Sequence, residues 1–128
     1  MTYYFSRTLP IGHAEAVKRT TEALAREGFG IITQIDVKST FKAKIGVDFR
    51  NYQILGACNP KLAHEALSLE DKIGTMLPCN VVVQDTDDGK VEIAAIDPVA
   101  SMAAVDNPRL KEAAMAVREK LKAAIAGV

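Results

Sequence analysis

Between Val81–Gln84 and Lys90–Ile96 stands Asp87-Asp88-Gly89, and a turn there obliges two consecutive β-prone runs to pair antiparallel. Glycine supplies the positive φ that such a tight connection demands. Asp97-Pro98 closes the second run. A hairpin of this kind is incompatible with a purely parallel, doubly wound sheet. It therefore favours a largely antiparallel sheet for the other strands.

Those elements alternate. Tyr3–Thr8 is aromatic and β-prone, and Pro10-Ile11-Gly12 stops it. Ala14, Val17, Thr21, Leu24 and Ala25 recur at helical spacing up to Gly28, a left-handed helix stop. Phe29, Ile31, Thr33 and Ile35 alternate in a strand running into Asp36. Val37, Phe41 and Ile45 mark a short helix ended by Gly46, and Val47–Ala57 reads as a second strong strand. Asn59-Pro60 and Asn107-Pro108 each place asparagine at an N-cap and proline at the first helical position. The helix after Asn59 has Leu62, Ala63, Ala66 and Leu67 on its apolar face. The longest helix follows Asn107, with Leu110, Ala113, Ala114, Val117, Leu121, Ala124 and Ile125 on one stripe. The order β-α-β-α-β-α-β-β-α predicts an α+β fold, a two-layer sandwich with a largely antiparallel sheet and helices on one face.

The 128 residues match one domain, 1–128, with enough chain to bury a core without metal or disulfide staples. Sixteen Lys+Arg balance sixteen Asp+Glu, so no long-range field recruits nucleic acid or an acidic membrane. The first residues lack the basic-then-apolar order of a signal peptide, and no apolar run approaches the ~18 residues of a membrane span. The expected setting is the cytoplasm, with reduced thiols.

Chemistry is concentrated at two cysteines, each followed by asparagine. Cys58-Asn59 ends a strand and opens a helix, and Cys79-Asn80 opens the strand after Pro78. The unpaired amides and dipole at a helix N-terminus favour a thiolate, which makes Cys58 the candidate nucleophile and the more acidic thiol. The same helix end suits a phosphate or carboxylate. Against this, Cys58 shares strand parity with Tyr52 and Ile54, and Cys79 with Val81 and Val83, and a buried cysteine behaves as a small hydrophobe.

Other chemistry is thin. No phosphate loop, dinucleotide fingerprint, Gly-x-Ser-x-Gly or His-Glu-x-x-His occurs. His13 and His64 have the wrong spacing to complete a zinc set with the cysteines, so neither metal nor cofactor is expected. Asp36 and Asp97 both end strands, where a carboxylate either does acid–base work or caps a turn. Lys38, Lys42 and Lys44 read as a solvated helix face.

Gly28-Phe29-Gly30, Ile35-Asp36-Val37-Lys38, Lys44-Ile45-Gly46, Ile54-Leu55-Gly56-Ala57-Cys58-Asn59-Pro60, Leu77-Pro78-Cys79-Asn80-Val81-Val82-Val83 and Ile96-Asp97-Pro98 together resemble the bacterial and archaeal domain of unknown function 302 family. The resemblance spans roughly Phe5 to the final helix. It implies a two-layer α/β fold related to the TATA-binding-protein-like architecture, a homodimer, and no agreed activity. It also carries Asp36, Lys44, Cys58, Asn59, Cys79, Asn80 and Asp97 over as candidate ligand-binding residues.

Two functions follow as expectations. One is binding of a small molecule or anion around Cys58-Asn59 and Cys79-Asn80, with thiol redox or group transfer at Cys58. The other is a non-catalytic homodimeric interaction domain in which the motifs are structural. Ile73-Gly74-Thr75-Met76-Leu77, read as an apolar loop, fits either as a pocket lip or as an interface. Asp36, Lys44, Cys58 and Cys79 are expected around one concavity at a single sheet edge. Neither reading decides whether the chain is an enzyme.

Overall fold

The computed structural model describes residues 2–128. Its elements are β1 (Tyr4–Leu9), α1 (His13–Arg26), β2 (Gly30–Asp36), α2 (Val37–Ile45) and β3 (Tyr52–Cys58), then α3 (Pro60–Leu69), β4 (Cys79–Asp85), β5 (Val91–Ile96), α4 (Pro98–Ser101) and α5 (Pro108–Ala126). A 3-10 helix, Asp71–Met76, joins α3 to β4. The strands form one sheet ordered β1-β5-β4-β3-β2, antiparallel at every pairing.

Local chemistry sets the element ends. Gly89 turns the β4–β5 hairpin at φ 78°, and Gly46 ends α2 in the left-handed region. Asn59 Oδ1 accepts from Leu62 N at 3.3 Å, and Asn107 Oδ1 accepts from Arg109 N and Leu110 N at 3.1 and 3.2 Å. Both asparagines cap as their sequence context predicts.

The second strand departs from its expected span. It begins at Tyr52 rather than Val47, because β2 ends at Asp36 opposite Gln53 and offers no ladder beyond. Asn51 instead bonds the end of β4, its carbonyl to Asp85 N at 3.0 Å and its amide to Asp85 Oδ2 at 2.8 Å. In β2 the register shifts between Ile31 and Thr33. The bulge breaks the expected alternation: Ile31 faces the helices with Ala57, while Thr33 and Ile35 turn to the opposite face beside Gly56 and Ile54. The segment around Ile73 is a 3-10 helix rather than a loop, and Ile73 itself is buried.

Helices α1 and α5 lie across one sheet face. Leu55, Val81, Val83, Val91, Ile93 and Ala95 point into that layer and are buried against Ala16, Ala23, Leu24 and Leu121. Burying each large aliphatic side chain contributes about 1.5–3 kcal/mol. The α1 stripe is rotated from the expected one, to Ala16, Thr20, Ala23 and Leu24. A second cluster joins Ala66 of α3, Ile73, Met102 and the first turns of α5, Leu110 and Ala114. The other sheet face has no helix layer over its centre. Val82, Ala94 and Ile54 are half-buried there, and Tyr4 and Ile35 are exposed.

Candidate functional site

The sheet is built so that one end collects most of the candidate residues. β3 finishes there with Cys58, β4 starts there with Cys79, and β5 finishes there before Asp97. Cys79 stands opposite Ala57, the residue before Cys58, and Asn80 stands opposite Gly56. The two Cys-Asn units are therefore side by side.

Asp36 and Lys44 are not with them. Asp36 pairs with Gln53, five residues back along β3 from Cys58, a separation of about 17 Å at strand rise. Its carboxylate accepts from Ser39 N at 3.0 Å and caps α2. Lys44 is exposed in the last turn of the same helix. The single concavity expected to hold Asp36, Lys44 and both thiols does not form, because the strand between them runs the full depth of the sheet. Asp36 and Asp97 likewise sit at opposite ends and form no carboxylate pair. Asp97 is buried, accepts from Val99 N at 3.0 Å, and lies 3.3 Å from Arg118 Nε, whose guanidinium stacks over Phe5.

The neighbouring asparagines have separate tasks. Asn59 caps α3 and packs on Gly28, where a Cβ would come within 2.9 Å of its Nδ2. Gly28 holds φ 86°, so both its conformation and this close approach require glycine. Asn80 points to the open sheet face, where it is exposed beside Tyr4 and Tyr52. His13 Nδ1 lies 3.3 Å from Asp85 Oδ1 at the far end, at an angle that makes no hydrogen bond, and His64 is exposed. Among the described residues no three His, Cys, Asp or Glu side chains gather to hold a metal.

Behind the thiols is a cavity of about 320 Å³. Ala57, Cys58 and Cys79 line it at the sheet end, and its sides are α3 and α5. Leu62, Ala63, Ala66 and Leu67 face Leu110, Ala113, Ala114 and Val117 across it. Gly74 and Leu77 form one edge, as a lip drawn from the segment around Ile73. Pro98 and Met102, both buried, also line it. Sequence reading placed these α3 and α5 residues on apolar faces but did not find the void between them. The signal available was that both faces carry alanines, whose small side chains leave space wherever larger neighbours such as Leu62, Leu110 and Met102 keep the helices apart.

Electrostatics separates the two thiols. Burial first, and the neighbouring Cys58 second, push the Cys79 thiol up to about 11. Cys79 is thus a neutral wall group at physiological pH, not a nucleophile. Cys58 is half-buried at the cavity rim.

The family model described as "Domain of unknown function DUF302" matches residues 5–128 of the chain. A solved structure, that of the uncharacterised conserved protein DUF302 from Bacillus stearothermophilus, is similar throughout. The two share 30% identity, 98% of each chain is covered, and the TM-score is 0.91. No curated protein matches. Among the described residues no helix is long and apolar enough to cross a membrane.

Proposed function

This chain belongs to the DUF302 family, and from the cavity at the Cys58 end of its sheet we propose that it binds a small apolar molecule there. The carrying observation is a void of about 320 Å³ between α3 and α5 with no charged side chain on its wall. An apolar pocket of this size gains by filling, because its lining atoms lack contacts on one side. Cys58 and Asn59 at the rim give the ligand a soft thiol and an amide for orientation, while Asn59 Oδ1 is already engaged in capping α3. An anion is disfavoured as the occupant: no lysine or arginine faces the cavity, and an unpaired charge there would be costly to desolvate. Thiol chemistry, where it occurs, belongs to Cys58.

The test is fluorescence of the neutral dye aminoanthracene. Enhanced emission on titration, lost in the cavity-filling variant Ala63→Phe whose circular dichroism is unchanged, is the expected result. Absence of enhancement with the native chain removes the reading.

A second reading is favoured by a separate observation. The sheet face opposite α1 and α5 exposes Tyr4 and Ile35, and α2 buries no residue. We infer that a second copy of the chain covers this face. The chain carries no net charge to repel its copy, and the face is apolar at its centre.

A further inference from the structure

The volume and lining of the cavity specify the ligand class, an inference that rests on the binding reading above. Leu110, Ala113, Ala114 and Val117 form an i, i+3, i+4, i+7 row along α5, so the wall runs for about 10 Å at 1.5 Å per residue. The cavity has a volume of about 320 Å³. On the scale at which a cavity of about 150 Å³ holds benzene, it accepts about a dozen carbon atoms.

Ile32 and Leu67 are 61% and 41% exposed where the wall reaches the surface, so apolar surface continues out of the cavity. The polar wall groups are Cys58, Asn59 and Cys79, all at the sheet end. None carries a positive charge, and Cys79 is held neutral by burial.

We infer that the cavity takes one neutral, largely hydrocarbon molecule of about a dozen carbons, with a neutral hydrogen-bonding head at Cys58–Asn59. A free alcohol and an esterified acyl group share this chemistry.

Displacement of bound aminoanthracene tests it, using butanol, decanol, methyl decanoate, decanoate and naphthalene on the native chain at pH 8. Decanol or methyl decanoate is expected to displace the dye at least tenfold more effectively than butanol or decanoate. Whichever of the two is stronger identifies the free or the esterified source. Decanol is also expected to slow iodoacetamide labelling of Cys58, and Ala113→Leu to weaken decanol by tenfold or more while the variant keeps its native circular dichroism. Dye displaced by naphthalene and not by decanol overturns the head assignment and leaves the binding reading standing. Decanoate matching decanol overturns the neutral head. A native chain that binds no dye overturns both readings together.

Discussion

At the residue scale, Cys58 and Cys79 carry the same dipeptide and occupy opposite chemical situations. Cys79 is 7% exposed, and burial followed by the Cys58 charge raises its pKa to about 11 from an ordinary 9.0. The folded chain therefore holds the Cys79 proton more tightly than the unfolded chain does. The resulting stability is complete below about pH 9 and is lost as pH rises through 11, a total of about 2–3 kcal/mol from this one group. Urea unfolding between pH 8 and 11 is expected to show a shallower decline in Cys79→Ala than in the native chain, because lysine and tyrosine titrations are common to both. Equal slopes would show that the thiol is not desolvated. Labelling follows the same logic. At pH 8 Cys79 is about one part in a thousand thiolate, so iodoacetamide should modify the Cys79→Ser variant, which retains Cys58, well ahead of Cys58→Ser.

At the element scale, what was legible in the sequence was what backbone chemistry decides locally. Asn59-Pro60, Asn107-Pro108, Gly46 and Gly89 each act within four residues, and each sits where its signal places it. The start of β3 was not legible, because it depends on where the partner strand β2 stops. Nor was the bulge at Ile32, which turns Ile35 to the open face with no punctuating residue of its own. Gly56 shows the same limit. A Cβ there would collide with Thr33 Oγ1 and come within 2.7 Å of Pro78 Cγ, two residues from other strands and loops. Gly56→Ala is accordingly expected to lower stability by about 1–3 kcal/mol, and Thr33→Ala to restore part of it in a double-mutant cycle. Additive losses would mean that the crowding is relieved elsewhere. The caps give a milder case: Asn107→Ala should cost about 1 kcal/mol in thermal or chemical unfolding.

At the scale of the whole molecule, the cavity and the open face both arise from surfaces meeting or failing to meet, and neither has a linear motif. The alanines of α3 and α5 read correctly as apolar faces, yet only the packed helices reveal the gap between them. The open face is the reverse case, five strands whose outward residues find no covering layer. At strand spacing and rise it spans about 500 Å² in projection. Side-chain relief, with the exposed Ile45 and Val47 beyond the strand ends, brings its area toward the roughly 800 Å² per partner of a standard interface. Arg50, Gln84 and Glu92 form a hydrogen-bonded row at one end of it, so these three are partnered within one chain, and the row across the middle of the sheet is Ile35, Ile54, Val82 and Ala94. Two such faces related by a two-fold axis would place apolar centre on apolar centre. Light scattering at micromolar concentration is expected to give twice the 13.8 kDa chain mass. Ile35→Lys should return the chain mass with native circular dichroism, since Ile35 is 49% exposed and adds little to the fold of one chain. A native chain that scatters as 13.8 kDa, or an Ile35→Lys variant that stays dimeric, would show that this face is not where two copies meet.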